Sequence, residues 1–197
     1  ANNIFVHEKL PRKLKIYKRS QNIIPCGFDN NIFFHIPQEN AKKILGWDKD
    51  TRHIVFSSAF DNKIKNAPLA KSVTSEIPNC RLVELKGYNK EQINLMLNAC
   101  DLLLVTSFSE TGPIIVKEAL ACDCPIVSTN VGDVSKIISN VPNTYISSYE
   151  PKDIRTKIDL ILSKPRKIKN GRKAVKNFRL DIIASQIKNV YITTLKI

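Results

Sequence analysis

The sequence predicts an α/β fold, in which a parallel sheet is covered by helices on both faces. Short apolar runs rich in β-branched residues alternate with segments of helical length, and this alternation is typical of βαβ units. Right-handed crossovers between parallel strands then give an open, Rossmann-like, doubly wound sheet. The predicted strands cover residues 53–56, 81–85, 102–105, 125–127 and 144–146.

The length and composition are those of a globular domain with a substantial core. The chain has 197 residues, of which 43% are hydrophobic and 25% are charged. These values are ordinary for a soluble protein. No apolar run reaches the roughly 18 residues that a membrane span needs, and no signal-peptide pattern opens the chain. The first residue is Ala1 rather than methionine, so we expect a fragment or a processed chain.

Cysteine and histidine do not form metal-binding patterns. The five cysteines are odd in number and irregularly spaced, so we expect reduced thiols in a cytoplasmic protein. The three histidines, His7, His35 and His53, are scattered, and we interpret each as a core or surface residue. We therefore expect no metal and no other cofactor.

The net charge of +13 concerns the partners of the protein rather than its fold. It fits nucleic acid, an anionic membrane surface or an anionic small ligand. Lysine and arginine cluster at 9–19 and at 164–176. Aromatic residues are not interleaved with them as in proteins that bind single strands, which argues against nucleic acid.

The elements follow in order along the chain. A short strand at 4–6 is followed by a basic helix at 8–19 and by an apolar turn at 23–29. Pro37 opens a helix that Gly46 ends. Further helices are predicted at 66–77, 90–100, 113–122, 133–139, 151–163, 166–176 and 181–195. Asn89 and Gln92 form a capping box before the helix at 90–100.

The segment 106–122 has the pattern of a tight loop and a helix after the strand at 102–105. Pro113 stands where a helix can begin, because its missing N–H is one that the first turn leaves unpaired. A helix N-terminus offers free N–H groups and a partial positive charge, which suit an anion. Glu110 in the loop and Glu118 in the helix add two carboxylates. Together these groups predict a site for a ligand with phosphates and sugar hydroxyls.

This segment resembles the retaining glycosyltransferases of family 4, whose signature is two glutamates separated by seven residues. Glu110 and Glu118 have that spacing, and Ala-Leu-Ala-Cys at 119–122, Pro-Ile-Val-Ser at 125–128 and Val-Gly-Asp-Val at 131–134 also fit. Family members have two Rossmann-like domains facing across a cleft, the GT-B arrangement. The resemblance covers about residues 23–195, the C-terminal, donor-binding half.

The resemblance implies roles for both glutamates. The position of Glu118 holds the ribose hydroxyls of the nucleotide, and a carboxylate accepts well from two vicinal hydroxyls. The position of Glu110 touches hydroxyls of the donor sugar. Glu110 is thus the candidate catalytic residue, as a sugar-positioning group and not as a nucleophile.

The donor diphosphate needs positive charge as well as N–H groups. Many family members carry an arginine shortly after the first strand, and here Ser58 and its neighbours stand in that place. The family's lysine at the head of the next helix is matched by Lys65-Asn66. We therefore predict Lys65 as the diphosphate clamp, with Lys63 in reserve; an ordinary exposed lysine is the alternative.

Other predicted donor contacts lie in nearby loops. Tyr88 follows the second strand, where family members contact the base, and it would stack on that base or else simply pack at the surface. Gly112 and the N–H groups of Ile114 and Ile115 are placed to meet phosphate or sugar oxygens. In the turn at 23–29, Cys26 replaces the family's usual asparagine.

The resemblance divides the chain into three parts. Residues 1–22 are the linker and the end of an N-terminal domain that this chain lacks. Residues 23–180 are the nucleotide-sugar-binding domain, and residues 181–197 are a helix that packs back or toward the missing domain.

The implied function is transfer of a sugar from a nucleoside diphosphate sugar to an acceptor hydroxyl with retained configuration, as in polysaccharide biosynthesis. The acceptor would be a sugar or a lipid-linked molecule, and the chain alone would bind donor with little turnover. The basic patches fit docking on an anionic inner membrane face. Two alternatives remain open: a non-catalytic nucleotide-binding or regulatory module, and a basic nucleic-acid-binding domain.

Overall fold

The computed structural model describes residues 2–15, 21–163, 168 and 170–195. Its strands are β1 Asn3–Phe5, β2 Gln21–Ile23, β3 Arg52–Phe56, β4 Cys80–Val83, β5 Leu102–Val105, β6 Ile126–Thr129 and β7 Thr144–Ser147. Strands β1 and β2 form a separate parallel pair. The other five form one parallel sheet in the order β4-β3-β5-β6-β7. The predicted α/β fold is confirmed.

Helices connect the strands as the alternation predicts. They are α1 Lys9–Lys13, α2 Gln38–Leu45, α3 Ala67–Ser75, α4 Lys90–Ala99, α5 Ile114–Ala121, α6 Val134–Ile138, α7 Pro151–Leu162, α8 Gly171–Ala174 and α9 Leu180–Leu195, with 3-10 turns at Lys63–Lys65 and Lys176–Phe178. The predicted capping box is confirmed: Asn89 accepts from the Gln92 N–H while the Gln92 side chain accepts from the Asn89 N–H.

Two apolar clusters lie on opposite faces of the sheet. Successive strand residues alternate between them, so Val55 joins the cluster with α4, α5 and α6, whereas Ile54 joins the cluster with α3 and α7. All four residues of β5 are buried, since helices cover both faces of this central strand.

The N-terminal region differs from its predicted structure. The basic helix predicted at 8–19 ends at Lys13, because Lys15 has a left-handed φ of 53° that a helix cannot continue. Residues 16–20 lie outside the described residues. The strand β2 was not predicted, since Gln21 and Asn22 give it no apolar pattern. It pairs with β1 across the helix between them.

The C-terminal region also differs from the sequence-based prediction. The described part of the helix predicted at 166–176 is α-helical only over α8, and Lys176 begins the 3-10 turn that follows. Residues 166, 167 and 169 lie outside the described residues. The chain then passes beside the segment that follows β2, where the Phe28 N–H donates to the Phe178 carbonyl at 2.9 Å. Gly27 is needed at this crossing, because a Cβ there would lie 2.9 Å from the same carbonyl oxygen.

No helix in the described part of the chain combines the length and the hydropathy that a membrane crossing requires.

Candidate functional site

The candidate site lies at the carboxyl edge of the sheet, between β3 and β5. The chain passes from β3 to β4 on one side and returns to add β5 on the other, so the strand order reverses between β3 and β5. Connections on either side of such a switch point leave a crevice in which ligands of open α/β sheets bind. Lys65 follows β3 and Glu110 follows β5, so the two residues flank this crevice.

Hydrogen bonds join the two loops that carry these residues. The buried Thr106 hydroxyl is 2.8 Å from the Lys65 carbonyl oxygen and 2.9 Å from that of Asn66. The Phe108 N–H donates to the Ile64 carbonyl at 2.9 Å. Because these bonds are already made, the relative position of the loops is fixed without a ligand.

The structure brings Lys65 and Glu110 into direct contact. The Lys65 ammonium donates to the Glu110 carboxylate at 2.5 Å, and the Ser107 hydroxyl donates to the same oxygen at 2.8 Å. The side chains are only 18% and 14% exposed. The predicted clamp and the predicted sugar-positioning residue therefore form one partly buried ion pair.

The N-terminus of α5 opens toward this loop. Pro113 is extended and precedes the helix, which begins at Ile114 rather than at the proline. Within the described residues, the N–H groups of Ile114 and Ile115 have no hydrogen-bond partner, as expected for a first turn. The loop between β6 and α6 packs against the residues before this turn. Its Gly132 lies so close to them that a Cβ would be 2.7 Å from the Thr111 carbonyl oxygen.

Glu118 lies on the second turn of α5 and is mostly buried. Burial penalises the charged carboxylate and raises its pKa from 4.5 to about 7, while Lys90 acts in the opposite direction. In the described part of the chain, no hydrogen bond or ion pair reaches this carboxylate. In its ionised form, such a carboxylate is well suited to accept hydrogen bonds from the hydroxyl groups of a ligand.

A second buried charge on α5 was missed by the sequence analysis. Lys117 is completely buried; its ammonium donates to the Cys26 carbonyl at 3.0 Å and lies 3.6 Å from Asp133. It also lies 4.6 Å from the centre of the Phe178 ring. Asp133 in turn lies behind Gly112, 3.1 Å from where a Cβ would be. The signal for this residue in the sequence was its position among apolar residues of a helix that is mostly buried.

The other residues predicted to contact the donor lie at the same edge of the sheet but apart from the Lys65–Glu110 ion pair. Ser58 is half-buried, and its carbonyl accepts from the Leu85 N–H at 3.0 Å. Lys63 is exposed in its 3-10 turn, and Tyr88 is 45% exposed beyond β4. Across the described residues, neither Lys63 nor Tyr88 makes a hydrogen bond or ion pair with Glu110.

The histidines and cysteines have separate environments. His53 is buried and stacks on Trp47 with ring centroids 4.2 Å apart, and its burial lowers its pKa. His7 instead lines a cleft beside Glu110. The sulfur atoms of Cys100 and Cys124 are 3.5 Å apart, well beyond the about 2.05 Å of a disulfide. Among the described residues, no three metal-ligating side chains are grouped around one point.

Comparison with known proteins adds a family and a fold. Residues 81–178 match the family model of glycosyl transferases group 1. Three solved structures are similar to this chain over nearly its whole length. Sucrose-phosphate synthase from Thermosynechococcus elongatus has 18% sequence identity and a TM-score of 0.86, with 99% of this chain and 58% of that chain covered.

A glycosyltransferase from Rickettsia africae has 15% identity and a TM-score of 0.80, with coverage of 98% of this chain and 63% of that one. HepE from Anabaena, solved with UDP and glucose, has 16% identity and a TM-score of 0.78, with coverage of 95% and 62%. This chain therefore spans about three fifths of the length of these structures. No curated protein matches the sequence significantly.

At these identities the solved structures establish the fold alone, a match to one half of a GT-B glycosyltransferase. The family model covers the part of the chain that contains β5, α5 and both glutamates. Residues 81–178, just under half of the chain, therefore match a glycosyl transferases group 1 domain.

Proposed function

We propose that this chain is the donor-binding, C-terminal half of a family 4 retaining glycosyltransferase. It would bind a nucleoside diphosphate sugar, and the complete enzyme would transfer the sugar to an acceptor hydroxyl with retained configuration. Residues 1–22 would then belong to the end of an N-terminal domain, residues 23–180 to the donor-binding domain, and residues 181–197 to its terminal helix.

The observation that carries the proposal is the meeting of Lys65, Glu110 and the N-terminus of α5 at the switch point of the sheet. Lysine and free N–H groups are the donors that a diphosphate needs, and a carboxylate accepts from sugar hydroxyls. These groups together suit a ligand in which a diphosphate and a sugar are adjacent. The UDP and glucose in the Anabaena protein are consistent with this ligand class.

The strand order suggests how the donor lies along the edge. Tyr88 follows the outer strand β4, Lys65 follows β3, and Glu110 follows β5. A nucleoside diphosphate sugar laid along this edge would have its base near Tyr88, its diphosphate near Lys65 and its sugar near Glu110. Glu118, one helical turn behind the α5 N-terminus, would accept from the ribose hydroxyls.

Glu110 would act by orientation in this arrangement. Its carboxylate would hold sugar hydroxyls while Lys65 and the α5 N–H groups stabilise the charge that develops on the leaving diphosphate. Because protein groups meet that charge, we propose that donor binding requires no metal ion.

The proposal is tested by calorimetric titration of the chain with UDP, GDP and ADP. One of the three should bind, and Lys65→Ala should weaken it by about 10- to 100-fold, the equivalent of a charge-assisted hydrogen bond. Glu118→Ala should weaken it by a similar factor. Addition of EDTA should leave the affinity unchanged.

Two variants serve as matched controls for this titration. Lys152→Ala removes an exposed lysine from α7, and Glu91→Ala removes an exposed glutamate from α4. Both should bind as wild type does. Equal affinity of Lys65→Ala and Lys152→Ala would contradict the clamp, and a failure of all three nucleotides to bind wild type would contradict the proposed function.

Glu110→Gln should separate diphosphate binding from sugar binding. In the free protein Glu110 offsets the charge of Lys65, so we expect its neutralisation to tighten nucleoside diphosphate binding by about two- to ten-fold. The amide accepts from sugar hydroxyls less strongly than a carboxylate, so the extra affinity contributed by the sugar should fall. Titration with the diphosphate and with its glucose conjugate measures both effects. Weaker diphosphate binding would show that Glu110 does not compete for Lys65.

A further inference from the structure

The β5–α5 loop presents an exposed aromatic ring beside the candidate site. Phe108 is 60% exposed and lies two residues before Glu110. An exposed phenylalanine is not unusual by itself. This one lines the same small cleft as Glu110, with a volume of about 180 Å³, so its position links it to whatever ligand reaches that carboxylate.

The Phe108 ring is held in place from behind. It stacks on Tyr149 with centroids 5.7 Å apart and an interplanar angle of 29°. The Tyr149 hydroxyl donates to the Ser107 carbonyl at 2.9 Å, and the Phe108 N–H donates to Ile64. The loop after β7 thus supports the aromatic ring on the loop after β5. Because the Phe108 ring is already held in place, its side chain would lose little conformational entropy when a ligand binds.

The other side of this cleft is basic. Lys9 and Lys13 of α1 line it together with His7, and both lysines are exposed. The His7 Nδ1 accepts from the Lys9 N–H at 3.1 Å, so the neutral ring carries its proton on Nε2 as a donor. Among the described lining residues, Glu110 is the one carboxylate, and Lys65 already offsets its charge.

Three further lining side chains can both donate and accept hydrogen bonds. Ser109 and Thr111 contribute hydroxyls, and Asn130 contributes an amide. An aromatic surface surrounded by hydroxyls, an amide and cations suits a ligand that has an apolar ring face, many hydroxyls and a negative charge. A saccharide with an acidic substituent has these features.

We propose that this cleft is an acceptor subsite for a saccharide that carries an anionic group, with the sugar ring on Phe108 and the anion toward Lys9 and Lys13. The inference rests on the proposed function, since it names the acceptor class for the same site. The cleft lies on the β6–β7 side of Glu110, away from the edge proposed for the nucleotide.

The test is saturation-transfer NMR on the chain with three probes: glucose, glucose 6-phosphate and glucuronate. Wild type should bind both anionic sugars more tightly than glucose. Phe108→Ala should lower the affinity for all three sugars by at least about ten-fold. Phe108→Trp should bind them as wild type does, because the tryptophan ring can also stack on a sugar ring. The double variant Lys9→Ala/Lys13→Ala should bring the anionic sugars down to the affinity of glucose.

Phe34→Ala is the matched control, because Phe34 is 40% exposed and lies outside this cleft. It should bind every probe as wild type does. Unchanged binding in Phe108→Ala would overturn the proposal, as would the absence of saturation transfer to all three sugars. Inorganic phosphate has no carbon-bound protons, so it is added as a competitor of glucose 6-phosphate. Competition as strong as that expected of glucose 6-phosphate itself would reveal an anion site without a saccharide site, and would also overturn the proposal.

Nucleoside diphosphate titration of the same variants keeps the two proposals distinct. Normal diphosphate binding together with lost sugar binding in Phe108→Ala supports both. Normal diphosphate binding with no sugar effect overturns the acceptor subsite alone, whereas absent diphosphate binding to wild type overturns the proposed function.

Discussion

Replacement of Lys117 by methionine is expected to lower the free energy of unfolding by about 3–5 kcal/mol, as for other buried ion pairs that lose one partner. Lys117 is completely buried and is stabilised by the Cys26 carbonyl and by Asp133. Methionine fills similar space but leaves the Asp133 carboxylate, 16% exposed, without its counter-charge. Urea unfolding followed by circular dichroism measures the loss.

Asp133→Asn and the double variant Lys117→Met/Asp133→Asn complete a mutant cycle. The double variant should lose less stability than the sum of the single variants, because it leaves neither charge buried alone. Lys136→Met serves as the control, since Lys136 pairs with Glu8 at the surface, and it should change stability little. Additive losses in the cycle would show that the charges of Lys117 and Asp133 are not coupled.

Glu118→Gln is expected to stabilise the free protein at high pH and to impair nucleotide binding. Burial raises the pKa of Glu118 from 4.5 to about 7. The folded state therefore binds more protons than the unfolded state between these values, and its stability falls as the pH rises from about 4.5 to 7. Removal of the charge should recover on the order of 3 kcal/mol at pH 8 and almost nothing at pH 4.

The measurement is urea unfolding of wild type and Glu118→Gln between pH 4 and pH 8. Glu91→Gln is the control, because Glu91 is exposed to water. Its stability should differ from that of wild type by a constant amount across this pH range. Parallel unfolding curves across the whole range would show that the Glu118 carboxyl titrates normally. If Glu118 accepts ribose hydroxyls, nucleotide binding by wild type should strengthen as the pH rises through 7, whereas binding by Glu118→Gln should stay weak at every pH.

Such opposite effects on stability and binding would identify Glu118 as a functional residue. A carboxylate without a described partner, buried on a helix that packs against the core, costs stability in the free protein. A core position occupied for packing alone would favour an apolar side chain. A ligand that donates to this group would recover part of that cost on binding.

The amino-acid sequence by itself determined the fold class and most of the elements. Alternating apolar runs and helix-length segments predicted the parallel sheet, and all five of its strands lie within one or two residues of their predicted ends. Local chemistry sufficed for features such as Gln38–Leu45, which ends at a left-handed Gly46, and the Asn89 capping box. These features depend on residues close together in the chain, which a linear pattern records.

The two glutamates and Lys65 were also predicted from the sequence, as site residues whose roles remain predictions. Their motif lies within short segments, so its spacing is visible without a structure. Of the strand pair β1 and β2, only β1 was predicted. The pairing of the two strands joins residues that are distant in the sequence, and no local pattern records it.

Only the tertiary structure decided which distant side chains meet. It placed Lys65 on Glu110, Lys117 between Cys26 and Asp133, and Tyr149 behind Phe108. These contacts join residues 16 to 91 positions apart. Lys65 meets Glu110, and Phe108 meets Tyr149, because parallel strands bring their carboxyl ends to one edge. Burial of a charge or exposure of a ring depends on what packs around it, and neighbouring residues in the chain do not specify that environment.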